Sequence, residues 1–235
     1  MRLDNRILSL LEGVKGKYNF KNITSLTHYS HHIVSSSIDL AVSGQYTSAN
    51  MLLRQFYEIY IRAIYYDEKS KIGCPRSLKQ KIHEWSKGEL KEPITGKNGL
   101  NKKTVDLIKP EYLDIVIKIG KDNRSSWISK GKKLNKILDT LYRELSKTVH
   151  TGLINHDDEK EKLGQNVPIL HFEYREEHFK QFFNYCTAIH ELTSLIIILT
   201  NPILLEMDEA KWSGIFDIDQ QRIKKIYTVQ KENKV

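Results

Sequence analysis

The sequence is poor in cysteine and proline and has no long apolar run, and each shortage excludes a class of protein. Its two cysteines, Cys74 and Cys186, lie far apart without a second thiol nearby, which excludes a disulfide framework and a zinc knuckle. The five prolines and twelve glycines leave room for long helices. The most apolar stretch, Leu192 to Leu205, contains Asn201-Pro202 and is shorter than the roughly 20 residues that span a bilayer. We therefore interpret this stretch as a buried helix.

The start of the sequence does not predict a secretory leader. The first residues carry charges at Arg2, Asp4 and Arg6 and lack the apolar stretch of about 7 to 15 residues that a signal peptide contains. We therefore expect a cytoplasmic protein that does not enter a membrane. The 235 residues, 40% of them hydrophobic, suffice for one large domain with its own core.

Positive charge is concentrated in the middle of the chain. Residues Lys69 to Lys136 include 18 Lys and Arg and 7 Asp and Glu, a net charge of +11, whereas the whole chain carries +8. Such an excess attracts polyanions and supplies phosphate contacts. A solvated, lysine-rich surface is the alternative interpretation. The nucleic-acid interpretation predicts phosphate contacts from Lys130, Lys132, Lys133 and Lys136.

Apolar residues recur every three or four positions along most of the chain, which is typical of amphipathic helices. The clearest helix is Ser48–Asp67, where Arg54, Glu58 and Arg62 repeat every four residues and can pair their charges. Further helices are predicted at Arg2–Val14, Asn22–Val42, Ser77–Trp85, Pro110–Ile119, from Trp127 or Lys132 to His150, and at Arg175–Thr200.

The predicted fold is therefore all-α, with at most one short strand at Val167–Tyr174, where apolar and polar residues alternate. We divide the chain into N-terminal helices at 1–44, a helical core at 45–205 and a polar basic tail at 206–235. Several glycines and lysines near 86–109 predict a mobile basic loop, with at most a short helix around Thr104–Ile108.

Three motifs that suggest a cofactor or a metal are incomplete. Gly96-Lys97-Asn98-Gly99 lacks the upstream glycine and the following Ser or Thr of a phosphate-binding loop. His190-Glu191 begins like a zinc-protease helix, but Ser194 stands where the second ligand belongs. The histidines at 28, 31 and 32 have helical spacing without a nearby carboxylate, so a surface helix is favoured over a metal site. The sequence predicts no cofactor and no metal.

The segment from Tyr142 to His150 carries the strongest chemical signal. In a helix, the spacing of seven brings Arg143 and His150 to within about 20° of one face, two turns apart. The opposite side carries an apolar stripe of Leu134, Leu138, Leu141, Leu145 and Val149. Both polar side chains can therefore reach one ligand.

An arginine and a histidine on one face supply what RNA cleavage without metal requires. The imidazole, with an ordinary pKa near 6.5, can take the 2′-hydroxyl proton, and the guanidinium can stabilise the charge that develops on phosphorus. The alternative is that Arg143 and His150 are ordinary solvent-facing side chains whose positive charge opposes the helix dipole near its C-terminus.

Arg143 through His150 resembles the Arg-x4-6-His signature of the HEPN superfamily, the higher eukaryote and prokaryote nucleotide-binding helical domains. Ala49 to Glu58 resembles the helix with arginine and glutamate in several bacterial families of this kind, and Leu145 to His150 resembles their serine-to-histidine helix end. The similarity extends over roughly Ser48 to Thr200.

The resemblance implies a bundle of four or more helices, often a homodimer whose two signatures face each other. It also implies a metal-independent endoribonuclease of a toxin–antitoxin or phage-defence system, with a cognate antitoxin or defence partner. In this reading His150 is the general base or acid, Arg143 stabilises the phosphorane, and Ser146 and Lys147 contact the substrate. Arg54 and Glu58 are expected either to be structural or to position the site residues without contacting the substrate.

Two alternatives belong to other classes of protein. The first is a non-catalytic helical module that binds RNA, a nucleotide or a protein, since the superfamily includes inactive members. The second is an antitoxin-like or assembly protein without a nucleic-acid role.

Members of the HEPN superfamily commonly carry Asn, Asp or His after the arginine, whereas this chain has Glu144, whose carboxylate can disfavour an RNA phosphate.

Overall fold

The computed structural model describes residues 21–71, 76–89, 92–110, 112–113, 133–151 and 174–201. Helices account for 81% of these residues and none of them lies in a strand, which confirms the all-α prediction. The predicted N-terminal helix Arg2–Val14, most of the predicted strand Val167–Tyr174 and the tail at 206–235 lie outside the described residues. Of the strand, only Tyr174 is described, and it is not in a strand.

The described helices lie close to the positions that the apolar periodicity predicts. They are α1 (Lys21–Val42), α2 (Tyr46–Lys71), α3 (Arg76–Ser86), α4 (Leu100–Val105), α5 (Leu134–Thr151) and α6 (Glu176–Thr200). Of the predicted helix Pro110–Ile119, the structure describes Pro110, Tyr112 and Leu113, all in helical conformation. No described helix combines the length and the apolar character that crossing a bilayer would need.

A tight turn joins α1 to α2. Gly44 has a positive φ of 79°, a conformation that glycine adopts at little cost. Its N–H donates to the Ala41 carbonyl at 3.1 Å, and the N–H of Gln45 donates to the Leu40 carbonyl at 2.8 Å. These two bonds form a Schellman motif, which ends α1 and reverses the chain so that α2 packs back along it.

Helix α2 lies at the centre of the fold and contacts each of the other helices. Its buried side chains extend almost around the helix, as expected for an element with neighbours on several sides. The core that it shares with α1, α4, α5 and α6 includes Leu53, Phe56, Ile61, Ile64, Ile33, Val34, Ala41, Leu100, Leu138, Leu141, Leu192 and Ile196. Three of these residues belong to α1, so residues on both sides of the predicted boundary at 44 contribute to one core.

The segment predicted as a mobile basic loop is packed onto α2 from residue 92 onward. Ile94 and Leu100 are buried, and the N–H groups of Leu100 and Asn101 each donate at 2.9 Å to the carbonyls of Pro93 and Ile94. A Cβ at Gly99 would lie 2.4 Å from the Thr95 carbonyl carbon, so only glycine fits this turn. The short helix therefore forms at Leu100–Val105, a few residues before the predicted position.

The Glu92 carboxylate fastens this segment to its surroundings. It accepts hydrogen bonds from the Tyr66 hydroxyl at 2.9 Å and from Lys81 at 3.0 Å, and Lys103 lies 3.5 Å away. Arg62 donates at 2.8 Å to the Glu92 main-chain carbonyl, so it does not extend the predicted ladder of α2 charges. Lys81 and Lys103, which belong to the basic block Lys69–Lys136, therefore stabilise the fold.

Candidate functional site

Helix α5 separates an apolar side from a polar side as its sequence predicts. Four leucines of the predicted stripe, Leu134, Leu138, Leu141 and Leu145, are buried, and the side chain of Val149 lies outside the described residues. Arg143 is exposed on the opposite side of the helix. Among the residues that the structure describes, none forms an ion pair with the Arg143 guanidinium.

Arg143 and His150 lie on the same uninterrupted helix. Because α5 runs from Leu134 to Thr151, the backbone at both positions is helical. The two Cα atoms are therefore separated by about 10 Å along the axis and by about 20° around it. The side chain of His150 is outside the described residues. Lys136, seven residues before Arg143, has the same helical position and is exposed.

Glu144 and Lys147 lie on the flank of α5 that faces α6. Lys147 Nζ is 3.1 Å from Glu144 Oε1. Burial raises the pKa of Tyr185 on α6; Gln181 opposes this by donating a hydrogen bond, Glu144 adds to it, and Lys147 opposes it. Both charged groups are therefore close to Tyr185, and the Glu144 carboxylate has a cationic partner of its own.

Ser146 lies on the other flank of α5, next to Tyr142. Its Oγ donates a hydrogen bond of 2.8 Å to the Tyr142 main-chain carbonyl. A serine hydroxyl has one proton, so this contact uses its only donor and leaves its lone pairs to accept. As a substrate contact, Ser146 can therefore receive a hydrogen bond from a ligand without breaking the bond to Tyr142.

The predicted structural pair Arg54 and Glu58 lies where α2 meets α5, together with Tyr142. Arg54 Nε is 3.1 Å from Glu58 Oε1, and Arg54 Nη2 donates to the Tyr142 hydroxyl at 2.8 Å. That hydroxyl donates to Glu58 Oε1 at 2.9 Å, and the Arg54 guanidinium carbon lies 4.9 Å from the Tyr142 ring centre. Each of the three polar groups thus contacts the other two.

The electrostatics of this cluster follow from its partial burial. Burial lowers the pKa of Arg54, but contacts with Tyr142 and Glu58 outweigh it, so the pKa is raised and the charge is retained. The pKa of Tyr142 is raised by burial and by the Glu58 carboxylate, against the opposing effect of Arg54. Tyr142 therefore stays a neutral hydroxyl donor at physiological pH.

A second polar bridge links α2, α4 and α5. The Tyr57 hydroxyl donates at 2.7 Å to Asn101 Oδ1, and Asn101 Nδ2 donates at 2.8 Å to Asp139 Oδ1. Burial, followed by the Asp139 charge, raises the pKa of Tyr57 well above its ordinary value. The bridging roles of Tyr142 and Asn101 could not be predicted from the sequence, because their partners lie 88 and 44 positions away along the chain.

The other predicted contacts are described in part. Lys133 and Lys136 are exposed, whereas Lys130 and Lys132 lie outside the described residues. Within the described part of the chain, no three His, Cys, Asp or Glu side chains are grouped to hold a metal ion. Of the three neighbouring histidines, only the His32 side chain is described, and it is exposed.

Comparison of the chain with models of known protein families, with curated proteins and with solved structures found no match. Its function must therefore be inferred from the chemistry of its own residues. The outer face of α5, which is the side opposite the buried leucines, carries the exposed side chains of Arg143, Lys136 and Lys147. The backbone position of His150 lies two turns after Arg143 on the same face of the helix.

Proposed function

We propose that the protein is a HEPN-like, metal-independent RNA endonuclease whose site is the outer face of α5. The observation that carries the proposal is the exposed Arg143, which lies opposite the buried leucines and seven residues before His150 in one unbroken helix. The core occupies the other side of α5, so the exposed Arg143 side chain is available to a substrate.

The proposed reaction begins at a 2′-hydroxyl of the RNA. His150 accepts the hydroxyl proton while the 2′-oxygen bonds to the adjacent phosphorus, and the bond from phosphorus to the 5′-oxygen breaks as that oxygen takes a proton from water. Arg143 stabilises the negative charge of the phosphorane through its fixed donors. The products are a 2′,3′-cyclic phosphate end and a 5′-hydroxyl end.

The position of Glu144 supports this assignment. A carboxylate next to the arginine would repel a phosphate if it pointed toward the same ligand. Glu144 instead pairs with Lys147 at 3.1 Å on the flank near Tyr185. A phosphate at Arg143 therefore does not have to approach an unpaired carboxylate.

We also propose that two copies of the chain form a homodimer through the outer face of α5. One Arg143 and one His150 make a sparse site, and a two-fold axis would double it without new sequence. An endonuclease of this type acts in a toxin–antitoxin or phage-defence system, where a cognate antitoxin or defence partner restrains it. Such a partner would cover the same face.

A non-catalytic binding module is the second candidate, and the exposed charges favour it specifically. Lys133, Lys136 and Arg143 are all exposed on α5 or at its start. Such cations contact phosphates whether or not a base stands beside them. The two candidates therefore share an RNA surface and differ in whether a bond is broken.

Incubating the purified protein with RNA in excess chelator separates these candidates. The endonuclease should cut and leave 2′,3′-cyclic phosphate or 3′-phosphate ends, because the attacking oxygen belongs to the RNA and not to a metal-bound water. DNA lacks this hydroxyl and should remain intact. Binding without cleavage of any RNA tested would instead support the non-catalytic module.

A further inference from the structure

Helix α3 presents a second cationic face, on the side away from the fold. Arg76, Lys79, His83 and Lys87 are exposed, with Lys87 in the turn that directly follows the helix. On the other side, Leu78 is buried and the Trp85 ring lies 5.5 Å from the Tyr66 ring of α2. Packing therefore uses one side of α3 and leaves the basic side open.

The spacing of these residues places them on one surface. Intervals of three, four and four residues keep successive side chains neighbours on a helix, so the row runs for about 16 Å at 1.5 Å per residue. Arg76 and His83 repeat the spacing of Arg143 and His150. In both helices, moreover, the second residue after the arginine is a buried leucine.

The basic block of the sequence divides into two groups. Lys81 and Lys103 approach the Glu92 carboxylate, at 3.0 and 3.5 Å, and Lys102 pairs with Asp106 at 2.6 Å. By contrast, Arg76, Lys79 and Lys87 form no ion pair with any residue that the structure describes. Helix α3 and the turn after it thus carry three exposed cations that have no carboxylate partner among the described residues.

We propose that the outer face of α3 binds the phosphodiester backbone of single-stranded RNA, as a contact surface separate from α5. The α3 proposal rests on the proposed function, because α3 would bind a further part of the same RNA that α5 is proposed to cut. Exposed cations without carboxylate partners recognise phosphates whatever the base sequence. The α3 face therefore holds RNA and supplies no chemistry, whereas α5 carries the cleavage.

The separation of the two faces implies a minimum length of RNA. Helix α3 contacts α2 at Tyr66, and α5 contacts it at Arg54. Twelve residues of α2 separate these positions, which corresponds to about 18 Å along the helix. We expect a strand that touches both surfaces to extend over a distance of this order, so much shorter RNAs should lose the contribution of α3.

Binding is best measured with a labelled 2′-O-methyl oligouridylate, since blocked 2′-oxygens prevent cleavage. Arg76→Glu/Lys79→Glu should lower affinity about tenfold. It should also reduce the slope of log binding constant against log salt concentration by about 1.4, because each phosphate contact in a single strand contributes about 0.7 to this slope. The matched control is Lys97→Glu/Lys109→Glu, which changes net charge equally at exposed lysines elsewhere that form no ion pair with a described residue. It should keep the salt dependence of the wild type.

Equal weakening by both double variants would overturn the proposal, because net charge alone would then explain binding. Absence of wild-type binding would overturn it as well. Neither result bears on cleavage, which is tested separately with ordinary RNA in chelator. If charge reversal unfolds α3, Arg76→Gln/Lys79→Gln removes the same contacts without repulsion and should flatten the salt dependence in the same way.

His83→Ala tests whether α3 only binds. At saturating ordinary RNA this variant should cut at the wild-type maximal rate, because the proposed chemistry takes place on α5, whereas the RNA concentration needed for half of that rate should rise, because His83 lies on the binding face. Loss of cleavage with unchanged binding of the oligouridylate would make α3 the cutting site and overturn the binding assignment.

Discussion

Arg54 on α2 donates a hydrogen bond of 2.8 Å from Nη2 to the hydroxyl of Tyr142 on α5. Tyr142 immediately precedes Arg143, and neighbouring residues of a helix point about 100° apart. Holding Tyr142 against α2 therefore fixes the rotation of α5 and directs Arg143 away from the core. A residue from the strongest predicted helix thus controls where the candidate arginine points.

Tyr142→Phe should weaken this contact without emptying the space that the ring fills. The variant loses the bonds to Arg54 and Glu58, and we expect it to lower the free energy of unfolding by about 0.5 to 1.5 kcal/mol. Chemical denaturation followed by circular dichroism measures this change. Tyr174→Phe is the matched control, because Tyr174 is exposed and should be unaffected by loss of its hydroxyl. Equal stability of Tyr142→Phe and wild type would show that the cluster does not fix α5.

Acid should lower the stability of the fold by protonating the Glu92 carboxylate. Burial raises the pKa of Glu92, but hydrogen bonds from Lys81 and Tyr66 and the nearby lysine charges outweigh it and bring the pKa below its ordinary value of 4.5. A lowered carboxyl pKa contributes stability above the unfolded-state pKa, and this contribution is lost as pH falls through the folded-state value.

Glu92→Gln should therefore melt at a lower temperature than wild type near neutral pH, and the difference should shrink below pH 4.5. Melting curves of both proteins across this range test the expectation. Glu89→Gln provides the control, since Glu89 is exposed and forms no salt bridge with a described residue. A difference for Glu92→Gln that stayed constant with pH would contradict the role of its charge.

The local pattern of the sequence predicts the helices and the sides that they bury. The stripe of α5 follows from the spacing of its leucines, because amphipathic periodicity reports which side faces a core. The stop of α1 follows from Ser43-Gly44, where the chain needs a positive φ. These features depend on residues within a few positions of one another.

Contacts between distant segments could not be predicted in this way. Asn101 bridges Tyr57 and Asp139, which lie 44 and 38 positions away. The glycines and lysines near 86–109 suggested a mobile loop, yet Lys103 from this segment and Lys81 from α3 both approach the Glu92 carboxylate, which is only 12% exposed. Composition gives the number of charges in a segment and not which of them find partners.

Leu141→Ala and Arg143→Ala should have opposite effects on stability and activity. Leu141 is 0% exposed, so its truncation should cost about 2 to 5 kcal/mol of stability while the remaining folded protein still cuts RNA. Arg143→Ala should abolish cleavage and leave helix content unchanged, because the side chain is exposed. Denaturation curves and cleavage assays on both variants test this separation. Cleavage by Arg143→Ala at the wild-type rate would contradict its role.

The oligomeric state tests the proposal that the site is built from two copies of the chain. We expect light scattering at micromolar concentrations to give the mass of a dimer, because a two-fold axis brings two copies of the α5 face together. Arg143→Glu should weaken that dimer by placing two carboxylates close to the axis. A wild-type monomer would remove the composite site but not a site built from one chain.

Cleavage of RNA in excess chelator by wild type, His150→Ala and His32→Ala is the most direct test of the α5 site. His32 is an exposed histidine of α1, so its replacement controls for loss of a surface imidazole. We predict that wild type and His32→Ala cut equally, whereas His150→Ala does not cut although its helix content and oligomeric state are unchanged. Full activity of His150→Ala would contradict the assignment of cleavage to α5.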